Sequence, residues 1–185
     1  TIVATGPLTN IAKILMIDSE ISKQIFELII MGGAVSVPGN VTPKAEYNVW
    51  ADAEAAKIVL ESNLPIILVP LDVTMSFTFT ADNLSEIKTA NTSISKLISQ
   101  MLPYYINIHK KLGNVDGCYV HDALAMAYTI DPTLFKTRMM GIEVIINKNE
   151  EYGKLIISKA NPPLKICLKV DSQRFLQLFI DKMRK

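Results

Sequence analysis

The segment MGGAVSVPGNVTPKAEYN, residues 31–48, follows a short apolar run and decides how the rest of the chain is interpreted. It is too rich in Gly, Pro and Asn to form a regular helix or strand. Its side chains with the most hydrogen-bonding capacity are Asn40, Glu46 and Asn48. If residues 46–48 are extended, Glu46 and Asn48 point to one side and Tyr47 to the other. A carboxylate can accept both protons of a vicinal diol while amides donate to oxygens, which favours a sugar-like ligand.

Regular patterns on both sides of this loop predict strands that alternate with helices. Apolar runs bounded by turn residues predict buried parallel strands over residues 1–5, Leu28–Met31 and 65–71. Helical spacing and capping residues predict helices over 7–15, 18–25, 52–61, 81–88, 92–112, 121–130 and from about 172 to the end. Shorter strands are predicted over 141–147, 154–158 and 164–170, with turns between them.

The order of these elements predicts an α/β fold in a single domain that comprises residues 1–185. We expect an open, mostly parallel, Rossmann-like sheet, with the late strands forming a small antiparallel C-terminal appendage. A cofactor-binding Rossmann domain is a weak alternative, because no G-x-G-x-x-G turn with a downstream acidic residue is present.

Charge, hydropathy and cysteine content limit the classes of partner and the cellular compartment to be expected. The formal net charge of +1 gives no electrostatic reason to expect nucleic acid or an anionic membrane as a partner. No apolar run reaches the roughly 20 residues that a membrane span needs. Cys118 and Cys167 lie far apart without a CxxC context, which favours free thiols and a cytoplasmic location.

Three segments resemble the inosine-uridine preferring nucleoside hydrolases. They are ATGPLTN at residues 4–10, the loop at 31–48 and HDALAMAY at 121–128. The resemblance implies hydrolysis of the N-glycosidic bond of ribonucleosides such as inosine or uridine, with water activated by Ca²⁺. It also implies a homo-oligomer when the full domain is present.

The resemblance assigns two metal ligands and one proton donor. Asp122 is expected to bind Ca²⁺ through its carboxylate, and Thr5 through its backbone carbonyl. The alternative for Asp122 is an N-cap aspartate that accepts backbone amides. His121 resembles a general acid toward the leaving base, for which an unperturbed pKa near 6.5 is suitable; the alternative is a histidine that only hydrogen-bonds.

The remaining site residues are expected to contact the substrate. The resemblance places Met31, Asn40, Glu46, Tyr47 and Asn48 around the ribose and Tyr105 near the base. Core packing is the alternative for Met31 and Tyr105, and a solvated loop held by Asx turns is the alternative for Glu46 and Asn48. Asp72, in the similar fragment VPLDVT, is assigned only a structural role.

One diagnostic part of the family pattern is absent from these 185 residues. Relatives carry an N-terminal DxDxxxDD loop that supplies most calcium carboxylates and the base for the water, and no such cluster occurs here. We therefore expect an N-terminally truncated hydrolase domain that binds Ca²⁺ weakly and has no turnover by itself. The alternative is a catalytically inactive remnant or a sugar- or nucleoside-binding fragment.

Overall fold

The computed structural model describes residues 1–113 and 115–184, which contain a six-stranded sheet. The strands are β1 (Ile2–Ala4), β2 (Leu28–Met31), β3 (Ile66–Val69), β4 (Phe135–Val144), β5 (Leu155–Ile157) and β6 (Pro163–Val170). Their order across the sheet is β1-β2-β3-β6-β4-β5. The first four of these neighbours are parallel, whereas β4 is antiparallel to both β6 and β5. The mostly parallel α/β sheet is therefore confirmed, and its antiparallel strands extend the same sheet.

Strand β4 begins earlier than the sequence indicates. It starts at Phe135 rather than 141, and it pairs with β6 from Phe135 opposite Val170 to Gly141 opposite Pro163. Residues 136–139 are exposed polar or flexible side chains, so they lack the apolar run by which a strand is recognised. Hydrogen bonding to a neighbouring strand compensates for that weak local pattern.

Helices cover both faces of the sheet. They are α1 (Thr9–Ile17), α2 (Tyr47–Ala51), α3 (Ala53–Leu60), α4 (Leu71–Thr74), α5 (Ala81–Lys88), α6 (Ser93–Gly113), α7 (His121–Ile130) and α8 (Ser172–Met183). Two 3₁₀ helices span Ser19–Gln24 and Pro132–Leu134. The segment predicted as a helix over 18–25 is thus the first 3₁₀ helix, with the Asp18 side chain accepting from the Glu20 N–H.

Alternate residues of β2 and β3 enter two separate cores, one on each face of the sheet. Ile29 and Ile67 pack in the core that includes α7 and α8, whereas Ile30 and Leu68 pack in the core that includes α1 and α3. Both strands are buried along their full length. This double burial explains the continuous apolar runs in the sequence.

Parallel pairing also brings the carboxyl ends of β1, β2 and β3 to one edge of the sheet. Thr5 follows β1, the loop at 31–48 follows β2, and α4 follows β3. Open α/β sheets bind ligands at this edge. Among the described residues, no helix is long and apolar enough to cross a membrane.

Candidate active site

Two glycines shape the loop after β2. Gly33 has φ +78°, a conformation that residues with a Cβ rarely adopt. A Cβ on Gly39 would lie 2.0 Å from the Ala45 carbonyl oxygen, so only glycine fits there. The folded loop places Glu46 directly before α2 and against the end of β2.

Glu46 is almost completely buried, with 2% of its surface exposed, and it caps α2. Its carboxylate accepts three backbone N–H groups, from Gly33 (2.8 Å), Asn48 (2.8 Å) and Val49 (3.2 Å). Burial raises the pKa of this carboxyl group, and the three amides partly oppose the rise. Asp122 raises the pKa further through its negative charge, which places it in the electrostatic neighbourhood of Glu46. Of roughly four acceptor positions on a carboxylate, one is left for a ligand.

Asn48 joins the ends of β1 and β2. Its Nδ2 donates to the Met31 carbonyl (3.0 Å) and the Thr5 carbonyl (3.4 Å), and it also contacts the Met31 sulfur (3.4 Å). No hydrogen bond among the described residues uses its Oδ1. Thr5, Met31, Glu46 and Asn48 are thus brought into one connected network.

The conformation of residues 46–48 differs from the extended geometry considered for the sequence. Helix α2 begins at Tyr47, because Glu46 caps its first turn. Asn48 is nonetheless buried beside Glu46, while Tyr47 is 53% exposed and lies near the Trp50 ring. Asn40 accepts the Tyr47 N–H through Oδ1 at 2.9 Å, which fixes the loop and leaves its amide N–H groups for a ligand. Glu46 and Asn48 thus lie on one side and Tyr47 on the other, as expected, but a capped helix rather than an extended segment produces this arrangement.

His121 is the first residue of α7, and its ring forms a hydrogen bond with Thr74 on α4. Its Nδ1 lies 2.7 Å from the Thr74 hydroxyl oxygen. Burial lowers the pKa of the imidazole to about 4, with a smaller contribution from His109. The ring is therefore neutral around pH 7, in contrast to the near-neutral pKa assumed for the sequence.

Two adjoining cavities connect His121 with the loop and with α6. A cavity of about 540 Å³ is lined in part by Tyr105, Tyr119, His121 and Asp122. A second, of about 320 Å³, is lined in part by Asn40, Tyr105, Tyr119 and His121. Tyr105 is 41% exposed, so it lies on a cavity wall rather than in the core.

The aromatic side of these cavities is a chain of rings. Ring centroids lie 4.4 Å apart for Tyr105 and His109, 5.7 Å for His109 and Tyr119, and 5.7 Å for Tyr119 and His121. Such a wall is suited to the flat face of a heteroaromatic ring. No pattern in the sequence singles out Tyr119, because it lies in an irregular segment before α7.

Asp122 is exposed and does not cap α7. The N-cap residue is Val120, which makes no side-chain cap, and none of the hydrogen bonds of the described residues involves the Asp122 carboxylate. Partial burial raises the pKa of this carboxyl group. The capping alternative is therefore not what the structure contains.

The possible calcium ligands are too few within the described part of the chain. No group of three or more His, Cys, Asp or Glu side chains there is arranged to hold a metal ion. Asp122 and the Thr5 carbonyl provide two oxygen ligands, whereas Ca²⁺ takes six to eight. These residues alone do not fit a calcium site.

Two residues of α4, Asp72 and Thr74, hold parts of the site without having been predicted as site residues. Asp72, on α4, accepts the N–H groups of Val35 (2.8 Å) and Ser36 (2.7 Å) and so holds the loop. Thr74, two residues later, holds His121. Asp72 thus has the structural role assigned to it. The sequence contained one indication of Thr74: it and Asp72 are polar residues that closely follow a buried apolar strand.

The fold is that of an α/β protein with a mostly parallel sheet, and the candidate site lies where its parallel strands end. The chain belongs to the inosine-uridine preferring nucleoside hydrolase family, whose model matches residues 1–177. It is 33% identical over 193 aligned positions to the pyrimidine-specific ribonucleoside hydrolase RihA of Escherichia coli O8 (strain IAI1). That alignment covers 100% of this chain and 61% of the relative, so the chain spans about three fifths of such relatives.

Solved structures agree with this assignment. A plant nucleoside hydrolase, PpNRh1, superposes with a TM-score of 0.94 at 27% identity, covering 98% of this chain and 61% of that one. A purine-preferring ribonucleoside hydrolase from Gardnerella vaginalis gives a TM-score of 0.92 at 31% identity, covering 98% and 59%. The similar proteins thus include enzymes named for pyrimidine and for purine nucleosides.

Proposed function

We propose that this chain forms the ribose-holding and base-facing part of a ribonucleoside hydrolase. The reaction is hydrolysis of the N-glycosidic bond of a nucleoside such as inosine or uridine to a free base and ribose. The observation that carries the proposal is the network of Glu46 and Asn48 at the strand ends, beside cavities that Asn40 shares with His121. Family membership supports the reaction class.

The ribose is held by groups that the fold leaves free. The Oδ1 of Asn48 and the remaining acceptor position of Glu46 each take one hydroxyl proton, and the Asn40 amide donates to a sugar oxygen. Because the partners of these side chains are backbone groups, the three are already oriented before the ligand arrives. Such preorganisation reduces the entropy lost on binding.

The base lies between the aromatic wall and His121. Its leaving-group electrons are stabilised by a hydrogen bond from the neutral imidazole, since burial disfavours the imidazolium form. Tyr105 and Tyr119 contact the base through their ring faces or edges.

A bound calcium ion would supply activation of the water, and Asp122 and the Thr5 carbonyl would provide two of its ligands. We assign no reaction step to the ion, because the described residues do not complete its coordination. A cytoplasmic location is also proposed, since Cys118 and Cys167 are both buried free thiols.

Binding is tested with the chain itself by titrating uridine, inosine, ribose and free uracil into ¹⁵N-labelled protein. We expect the nucleosides and ribose to shift the amide resonances of Met31, Asn48 and His121. Asn48→Ala is expected to weaken uridine binding about tenfold, the loss of one or two hydrogen bonds. The matched control is Asn147→Ala, an exposed asparagine in the loop after β4. Shifts confined to another surface, or equal weakening by both variants, would contradict the site.

Catalysis is tested with a chimaera. The part of the Escherichia coli relative that this chain does not cover is fused to it, and ribose release from uridine and inosine is measured with Ca²⁺. We expect no turnover from the chain alone and metal-dependent turnover from the chimaera. A folded chimaera that binds uridine without turnover would support the alternative, a nucleoside-binding chain without catalysis. That alternative is favoured because the described residues contain no group of three or more acidic, His or Cys side chains that could hold a metal ion.

A further inference from the structure

Thr74 is a fully buried hydroxyl in direct contact with the one histidine that lines both cavities. None of its surface is exposed, and its Oγ1 lies 2.7 Å from Nδ1 of His121. Among the described residues, the hydroxyl forms no second hydrogen bond. The Pro70 carbonyl accepts the backbone N–H of Thr74, not its hydroxyl. The direction of this single hydrogen bond decides where the imidazole carries its proton.

A neutral imidazole has one N–H, so two arrangements are possible. If Nδ1 carries the hydrogen, it donates to Thr74, and the threonine hydroxyl hydrogen then has no acceptor in the protein interior. If the hydroxyl donates to Nδ1, every buried polar atom is satisfied and the hydrogen lies on Nε2. Leaving a buried donor unpaired is the costlier choice.

The position of Thr74 is fixed by its surroundings. Helix α4 follows β3 directly, and its neighbour Asp72 binds the N–H groups of Val35 and Ser36. The backbone of Thr74 therefore cannot move away from His121 without disturbing both the strand end and the loop. The hydroxyl is a fixed donor rather than an adaptable surface group.

We infer that Thr74 is a positioning residue: it donates its proton to Nδ1 of His121 and keeps the imidazole in the tautomer that carries its hydrogen on Nε2. Nδ1 is occupied, so Nε2 is the ring nitrogen left for a ligand in the cavities. A ligand there must present a hydrogen-bond acceptor, such as a carbonyl oxygen or an unprotonated ring nitrogen of a base. This role toward a nucleoside rests on the proposed function, whereas the tautomer itself does not.

The tautomer is measured by ¹⁵N NMR of the imidazole nitrogens in the unliganded chain at neutral pH. The chain has two histidines, so His109→Gln assigns the signals. In the wild type we expect a protonated Nε2 and an unprotonated Nδ1 for His121. Thr74→Ser should preserve this pattern, because it retains the hydroxyl. Thr74→Val should give a mixture of the two tautomers, because the donor that favours an unprotonated Nδ1 is removed.

A protonated Nδ1 in the wild type would overturn the inference, as would an unchanged tautomer in a folded Thr74→Val protein. If Thr74→Val does not fold, the wild-type and Thr74→Ser spectra still decide the question. Uridine titrations then add a separate measure, with binding about two- to tenfold weaker in Thr74→Val and unchanged in Thr74→Ser. The expected tautomer without any uridine binding would leave the Thr74 inference intact and contradict the proposed function.

Discussion

The two sides of the candidate site are built in different ways. On the side proposed to hold ribose, Glu46 and Asn48 bond to backbone groups around the ends of β1 and β2, so the side chains assigned to the ligand also stabilise the fold. On the opposite side, Asp122 has no hydrogen bond among the described residues, and Tyr105 is partly exposed on a cavity wall. The pKa values of both carboxyl groups are raised, but the two side chains differ in how much they stabilise the fold. Glu46 supports the fold through its hydrogen bonds, whereas Asp122 makes none among the described residues.

Glu46→Gln is the strongest test of this difference. The amide replaces one acceptor oxygen with a donor that faces backbone N–H groups, so we expect a loss of about 2–4 kcal/mol in the free energy of unfolding. Urea denaturation followed by circular dichroism measures it. The matched control is Asp171→Asn, an acid-to-amide change at the exposed N-cap of α8, with an expected loss of about 1 kcal/mol or less. Equal losses would mean that the carboxylate of Glu46 is not a special support of the loop.

The pH dependence of stability tests the environment of His121. The unfolded imidazole titrates near 6.5 and the folded one near 4, so the unfolded chain binds more protons between these values. The stabilising contribution is complete above pH 6.5 and is lost as the pH falls toward 4, by about 2 kcal/mol after allowance for partial exposure.

His121→Asn should remove this part of the pH dependence, because asparagine can accept the Thr74 hydroxyl without titrating. Urea unfolding of both proteins at several pH values between 7.5 and 4.5 gives the comparison. The same slope in wild type and variant would show that the imidazole is not held neutral by the fold.

Asp122→Asn should have the smallest effect on stability. We expect a change of about 0.5 kcal/mol or less, toward greater stability, because the substitution removes a partly desolvated charge near Glu46 and breaks no hydrogen bond. Asp72→Asn is the control, with an expected loss of about 1–2 kcal/mol, since Asp72 accepts two backbone amides. A large loss for Asp122→Asn would place this residue with Glu46 and remove the distinction.

Local patterns in the sequence predicted the parts of the molecule that local interactions determine. Helix α7 spans the predicted residues His121–Ile130, and Asp52 caps α3 as predicted. Residues 46–48 were harder, because the conformation depends on whether the Glu46 carboxylate turns back to cap the next residues or extends toward a ligand. Both outcomes use the same residue types.

Contacts between distant segments could not be predicted from one sequence. Thr74 and His121 are 47 positions apart, and nothing near either residue indicates the other. The start of β4 was missed for the same reason, since its exposed residues 136–139 are recognised as a strand only through their pairing with β6. The roles of Met31, Tyr105 and Asp122 toward a ligand stay predictions.

Helix α4 has only four residues, and two of them reach in different directions, Asp72 to the loop at 31–48 and Thr74 to His121. Because these anchors are two positions apart on one rigid turn, the turn fixes the spacing between the loop and His121, and under the proposed function this spacing would act as a gauge for the length of a nucleoside. Insertions in the long loop at 31–48 can change which side chains the loop presents at the sheet edge. An insertion within α4 would change the gauge itself, so we expect this short turn to keep the same length in variants that retain binding.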